Sequence, residues 1–271
     1  MLGDTSTRDY SRKLKLFNSF AARELQHAVA WLQLQPGMCV LDAGCGSGDV
    51  LKWLFERTHP GGSVVGMDLA APHTAAAREL AGPEMLVVQG NLIHAPLKSG
   101  QFDAIWCANT INHVREPVDA IKALSSVLKS EGRIALGQSS FLPDMYLAWD
   151  ARLERLTTDA IRQYYRDKYN IDERATSAAR SLVGLLLRAE LRNISVKTFV
   201  IERISPLDPP DVAYLQDTVF NSTWSKRLQA YLSKDDHDEL MHLCDPADPL
   251  HALLRPDFHF LQTFTVAVGC L

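Results

Sequence analysis

The chain has 271 residues, 46% of them hydrophobic, with 28 Lys+Arg against 32 Asp+Glu and a formal net charge of −4. That is apolar material enough for one large core, and the lack of a dense basic block excludes a broad nucleic-acid or anionic-membrane surface. No apolar run is long enough to span a bilayer. The polar start "MLGDTSTRDYSRKLKLF" has no secretory apolar core, and Cys39, Cys45, Cys107, Cys244 and Cys270 include no CxxC pair. A cytoplasmic protein with reduced thiols is expected.

In chain order, Leu14, Phe17, Phe20, Leu25, Val29 and Leu32 make a helical stripe across 14–33, which Pro36-Gly37 ends. "MCVLDA" (38–43) reads as a buried strand and 48–57 as a helix. "SVVGMDL" (63–69) is a second strand, followed by a helix over 72–81 that Pro72 begins. "MLVVQG" (85–90) and "FDAIWCA" (102–108) are strands, 116–129 a helix opened by Pro117, and "GRIALGQ" (132–138) a fifth strand. Residues 142–190 read as wholly helical. "NISVKTFVIERI" (193–204) is a strand, Pro209-Pro210 opens a helix near 211–232, a short helix covers 235–243, and "FHFLQTFTVAVGC" (258–270) is a final strand. Short apolar strands alternating with helices predict an α/β fold with a doubly wound, mostly parallel sheet. No repeat, low-complexity tract or Gly/Ser linker divides the chain, so one domain with helical insertions is expected.

The chemistry concentrates in "VLDAGCGSGDVLKWL" (40–54), where a strand meets a helix through Gly44, Gly46 and Gly48. Parallel sheets bind ligands at the carboxyl ends of their strands, and glycines let the backbone turn and approach a ligand closely. Asp42 ends the first strand and can balance a positive charge. Asp68 ends the second, where an acid can grip the hydroxyls of a ribose. The spacing is G-x-G-x-G, not the G-x-G-x-x-G of a dinucleotide site, and no P-loop is present. These glycines also suit a plain tight turn, and Asp42 a plain helix cap.

"VLDAGCGSG" resembles the first motif of class I S-adenosylmethionine-dependent methyltransferases. "VVGMDLA" is similar to their ribose-binding second motif, "VVQGNLIHAPLKSGQFDAIWCANTINHV" to the third and fourth strands of small-molecule members, and "LSSVLKSEGRIAL" to the helix and strand that follow. The resemblance covers residues 36–138. It implies a seven-stranded Rossmann-like sheet with an antiparallel last strand. Residues 1–35 would form an N-terminal helical cap, 36–138 the cofactor core, 139–192 a helical lid, and 193–271 the last strands with a helical excursion. It also implies S-adenosylmethionine as cofactor. Asp42 and the loop through Ala43, Gly44, Cys45, Gly46 and Gly48 would line the methionine moiety, and Asp68 would hold both ribose hydroxyls. Leu69 would pack on adenine, Asn91 and Leu92 would meet its edge, and Cys107 to Asn109 would border the sulfonium. Position 91 is usually Asp in that family; Asn can still accept through its carbonyl oxygen, without the charge.

His113, in "NTINHV", is the candidate base or substrate-orienting group, with helix-start packing as its other reading. The loops after the fourth and fifth strands, "CANTIN" and "GQSSF", lack the carboxylates of a hard-metal site, and His237, His242, His251 and His259 do not match metal-ligand spacing. No metal is expected. Met145, Trp149, Tyr164, Tyr165 and Tyr169 would form an aromatic lid or ordinary helix core, and Tyr10 and Phe17 a closure from the N-terminus. The leading expectation is methyl transfer to a small apolar or aromatic metabolite, with no nucleic-acid or membrane partner and the oligomeric state open. The alternatives are a cyclase-type enzyme that uses the cofactor as a positive scaffold, a cofactor-binding regulatory or assembly subunit and, more distantly, a nicotinamide dehydrogenase.

Overall fold

The computed structural model describes residues 7–140, 146–147, 150–169, 178–224 and 226–271. Its helices are α1 (Thr7–Phe20), α2 (Ala22–Trp31), α3 (Asp49–Thr58), α4 (Ala71–Leu80), α5 (Pro117–Ser125), α6 (Ala151–Tyr169), α7 (Ala178–Arg188), α8 (Pro209–Tyr214) and α9 (Lys234–Cys244). Its strands are β1 (Cys39–Ala43), β2 (Ser63–Asp68), β3 (Met85–Gln89), β4 (Phe102–Ala108), β5 (Leu128–Ser139), β6 (Tyr146–Leu147), β7 (Arg192–Ile204) and β8 (His259–Cys270). They form one sheet in the order β3-β2-β1-β4-β5-β8, with β7 along the far side of β8.

β1 to β5 are parallel, and β8 runs antiparallel to both β5 and β7. This is the doubly wound, mostly parallel sheet that the sequence predicts. The order reverses between β1 and β4, which opens a crevice at their carboxyl ends. The inner strands are apolar on both faces because helices cover both. One face packs on α2 and α3 through Val40, Ala104 and Trp106, the other on α5 and α7 through Leu41, Ile105 and Leu136.

Four elements depart from the sequence reading. The predicted 14–33 helix breaks at Ala21 into α1 and α2. The predicted 116–129 helix stops at Ser125, and β5 begins early because Leu128 pairs with Phe102 before a register shift. The unbroken 142–190 helix is corrected within the described residues: Tyr146–Leu147 is an eighth strand, and α6 starts only at Ala151, where Asp150 Oδ1 accepts the Leu153 N–H at 2.7 Å. β8 outruns β5 by several residues, and Tyr146 and Leu147 pair with the Leu261 and Phe260 left over. The predicted 211–232 helix is α8 followed by a π-helix, Leu215–Trp224, and a short 3-10 turn, Lys226–Leu228. The buried positions Leu215, Val219, Phe220 and Trp224 are spaced 4, 5 and 9 apart, which suits i→i+5 bonding better than an α-helix.

Arg203 ties the N-terminal helices to this frame. From β7 it donates to Glu24 Oε1 and Oε2 of α2 at 3.0 and 3.1 Å, to Asp211 Oδ1 of α8 at 2.8 Å, and to the Phe20 carbonyl. Its side chain is only 16% exposed, so its removal strands two carboxylates in a dry site. Arg203→Ala is expected to cost about 3–5 kcal/mol, lowering the thermal midpoint by roughly 10 °C. A midpoint within 2–3 °C of wild type by scanning fluorimetry would contradict this.

Candidate functional site

β1 ends in Asp42-Ala43, and the chain turns through Gly44 to Gly48 into α3. Gly44 and Gly46 sit at φ +84° and +53°, and a Cβ on either would collide with a neighbour. It would lie 2.2 Å from Thr110 Oγ1 at Gly44 and 2.3 Å from Leu14 Cδ2 at Gly46. The loop's amides point into the protein. The Gly44 and Cys45 N–H groups donate to the Met67 carbonyl at 2.7 and 3.0 Å, Gly46 to Asp68 Oδ2 at 3.0 Å, and Gly48 to the Cys45 carbonyl at 2.9 Å. A phosphate-binding loop keeps such groups free. Here they are used, and three carboxylates, Asp42, Asp49 and Asp68, stand around the loop. The crevice repels a pyrophosphate and suits a cation.

Asp42 is 2% exposed, and its Oδ2 has no hydrogen-bond partner. Burial, then repulsion from Asp68 and Asp49, pushes its carboxyl up to about 8. Asp68 behaves differently. Burial alone would raise it, but donors hold it below the ordinary carboxylate range: His73 Nδ1 at 3.2 Å, the Ala70 N–H at 2.9 Å and the Gly46 N–H. Three of its roughly four acceptor positions are therefore filled. His73, in the first turn of α4, was missed by the sequence reading; only its place five residues after Asp68 pointed to it. The donor set fits S-adenosylmethionine: an orphaned carboxylate for a positive group, an acid at the second strand end for a ribose, and a glycine loop whose Gly46 face is covered only by the Leu14 side chain of α1.

The other anticipated residues divide. Ala43 is buried beside Asp42. Leu69 is 63% exposed on the rim beside Asp68, a large apolar surface free to take a flat ring. The Asn91 carbonyl accepts the Ile93 N–H at 3.0 Å, and Leu92 is buried in the core with Leu41 and Met67. Cys45 packs inward against Gly66. Cys107 is fully buried on the α5 face, where burial pushes its thiol up to about 12. Asn109, at φ +50°, turns its carbonyl oxygen to β5, where it accepts the Ser139 N–H at 2.8 Å, Ser139 Oγ at 2.9 Å and Gln138 Nε2 at 3.2 Å. His113 closes a 3-10 turn, Ile111–His113, after β4; it is half-buried, and burial lowers its pKa.

The remaining histidines have local roles: His242 meets Asp248 at 2.6 Å, His251 the Leu243 carbonyl at 3.0 Å, and His259 Glu202 at 2.8 Å, while His237 is buried on α9. Among the described residues no group of three His, Cys, Asp or Glu could hold a metal ion. Tyr164 packs edge-on to Tyr165 and Tyr231, with Lys168 and Arg227 over its ring. The side chains of Tyr10, Met145, Trp149 and Tyr169 lie outside the described residues.

The sequence reading also missed a cover over the glycine loop. β7 runs parallel to β5, so the excursion after it starts at the same carboxyl edge as the crevice. α1 bridges loop and excursion. Leu14 lies on Gly46, Asn18 Nδ2 donates to Asp49 at 3.1 Å, Arg12 pairs with Asp217, Lys13 bonds Ser222, and Phe20 stacks on Tyr214 at 4.3 Å. Phe17 meets Tyr214 at 5.8 Å.

Residues 41–136 match the family described as "Methyltransferase domain". The match spans β1 to β5, the strands that carry the glycine loop, Asp42 and Asp68. It is 33% identical over 113 residues to a 2-phytyl-1,4-naphthoquinone methyltransferase of Thermosynechococcus vestitus, covering 41% of this chain and 50% of that one. A ubiquinone biosynthesis O-methyltransferase of Pseudomonas paraeruginosa is 30% identical over 126 residues, covering 44% and 53%. The chain thus spans about half the length of the curated relatives it matches. The crystal structure of the YcgJ protein from Bacillus subtilis shares the fold at a TM-score of 0.57 and 14% identity, covering 92% of this chain and 98% of that one.

Within the crevice, Asp42 carries a stability cost with a defined sign. Its folded pKa of about 8 lies above the ordinary 3.8, so the folded state holds the extra proton between those values and stability falls as pH rises through that window. Asp42→Asn removes the cost. Its stabilising effect on the ligand-free protein should grow by about 4 kcal/mol between pH 5 and pH 8, near 1.4 kcal/mol per unit. Thermal melts of both proteins at the two pH values test this, and a difference that does not widen refutes it.

Proposed function

We propose that this chain transfers a methyl group from S-adenosylmethionine to a small apolar or aromatic metabolite, working in a reducing, cytoplasmic setting. The observation that carries the reading is the inward-turned glycine loop ringed by Asp42, Asp49 and Asp68, a cradle for a cation and a ribose. One curated relative is named as a phytyl-naphthoquinone methyltransferase and another as an O-methyltransferase of ubiquinone biosynthesis, which supports an acceptor of that class. Among the described residues no helix is long and apolar enough to cross a membrane, and all five cysteines are free thiols.

The bound cofactor supplies an electrophilic methyl group. The chain's own residues do the rest. Asp42 balances positive charge beside the loop. Asp68 accepts ribose hydroxyls, with at least one of its present donors giving way. Leu69 offers its exposed face to the adenine, with Asn91 and Leu92 at the ring edge. α6 and the excursion after β7 exclude water from the carboxyl edge. His113, kept neutral by burial, takes a proton from the acceptor where the chemistry needs one. Alignment supplies the largest share, roughly 7–11 kcal/mol in well-oriented reactions.

Calorimetry should show S-adenosylmethionine binding in the micromolar range, about −8 kcal/mol. Asp68→Ala should weaken it at least tenfold, and should also lower the ligand-free melt because it strands the Gly46 and Ala70 N–H groups. No binding to folded wild-type protein, together with no transfer of labelled methyl to a panel of hydroxylated and quinol acceptors, sinks the proposal. Binding without transfer moves it to the regulatory or cyclase alternatives.

His113→Ala should lower turnover about 10²–10⁴-fold with cofactor affinity intact. Because its pKa is lowered, the wild-type rate should rise with pH through a midpoint below about 6.5, and the variant should lose that limb. An unchanged rate and profile would return His113 to a packing role.

A further inference from the structure

Gln138 is the last buried polar side chain of β5 at the crevice edge, 6% exposed. Its amide orientation is fixed by chemistry. Asn109 Oδ1 accepts the backbone N–H of Ser139, so it is an oxygen, and the Gln138 atom facing it must be Nε2. Nε2 also donates to the Ser139 carbonyl at 3.3 Å. Oε1 therefore cannot exchange places with Nε2, and it is buried with no hydrogen-bond partner.

Such an acceptor is costly unless something donates to it. Two others stand at neighbouring strand ends, Asp42 Oδ2 on β1 and Asn112 Oδ1 after β4; by register Gln138 shares the α5–α7 face with Leu136, and Asp42 the α2–α3 face with Val40. The three unpartnered acceptors thus mark three adjacent strand ends. A cationic cofactor accounts for Asp42. It does not account for Gln138, because the nucleoside candidates Asp68, Leu69 and Asn91 lie on the β2–β3 side of β1, and Gln138 lies two strands away in the other direction.

Resting on the methyltransferase reading, we infer that Gln138 is a specificity residue of the acceptor subsite: its fixed carbonyl oxygen takes a hydrogen bond from an O–H or N–H of the substrate. The acceptor is then a hydroxyl- or amino-bearing molecule, and its fully O-methylated analogue is excluded. An amide oxygen is too weak a base to remove the proton, so Gln138 selects and orients the substrate. Rejection of an analogue without the donor is strong because it leaves the buried oxygen unpaired.

The test uses the chain saturated with S-adenosylhomocysteine and two matched probe pairs, 2-naphthol against 2-methoxynaphthalene and cyclohexanol against methoxycyclohexane. The hydroxyl member of at least one pair should bind tenfold or more tighter than its methyl ether. Gln138→Met should bring that ratio to within twofold while leaving S-adenosylhomocysteine affinity unchanged. In the wild-type protein the Gln138 side-chain carbonyl carbon resonance should shift with the hydroxyl probe alone, a readout that stands even where the variant folds poorly. Equal affinity within both pairs, no binding by any probe, or a preference that survives Gln138→Met overturns the assignment. Failure to bind S-adenosylhomocysteine would instead overturn the methyltransferase reading, and this assignment with it.

Discussion

One buried carboxylate governs the crevice. Asp42 sits at the end of a strand flanked by β2 and β4, with Gly66 and Trp106 opposite it, and no described residue donates to its Oδ2. A fold built only for stability would place a neutral residue here. The unsatisfied charge is tolerated because burial keeps the group protonated near neutrality. A positive ligand removes that constraint and gains a charge-assisted contact in a dry site. Asp49 and Asp68 extend the same field, and the hydrogen bonds that hold Asp68 ionised also keep the acidic ring in place.

The field explains why α1 matters beyond packing. Leu14 covers Gly46 and Asn18 ties Asp49, so the helix closes the crevice directly. Its other side is fastened to the excursion through Asp217, Ser222 and Tyr214. The glycine loop is therefore covered by one connected body of α1 and the excursion, with Arg203 pinning α2 and α8 to β7. A close contact between Leu14 and the loop means that a ligand reaching Gly46 must displace this side chain, so entry and the position of α1 are mechanically linked.

Much of this was legible in the sequence. The strands from β1 to β4 fall where apolar runs and glycines put them, because a two-sided buried sheet writes its burial directly into composition. Asp42 and Asp68 are legible because both end strands. What stayed hidden depends on contacts across the sheet. β6 exists because β8 outruns β5, an offset in pairing between two equally long strands more than a hundred residues apart. The π-helix follows a 4, 5, 9 spacing easily taken for ordinary helix. His73 and Gln138 look like generic polar residues until the partners of their atoms are known: one supports Asp68, the other has an oxygen left over. Asn109 could be placed at the crevice, but not the turn of its carbonyl toward Ser139.

The two sides of the crevice differ in charge, and that difference constrains the chemistry. Toward β1 and β2 stand Asp42, Asp49 and Asp68. Toward β4 and β5 stand Thr110, Asn112, His113, Asn109, Gln138 and Ser139, none of them carboxylates, and burial keeps His113 from charging readily. A negative charge developing on an acceptor there meets dipoles rather than like charges, while the acids across the crevice favour a cationic cofactor over a neutral one. On the proposed methyl-transfer reading, charge neutralised during transfer would weaken the acidic side's hold on what remains, and exchange would become easier without any group having to push. Neutral side chains on the acceptor side can hold and orient, and only His113 among those six can also accept a proton near neutrality. Proximity and orientation are then the main resource of the site, with proton removal a second contribution whose size depends on the acidity of the bound donor.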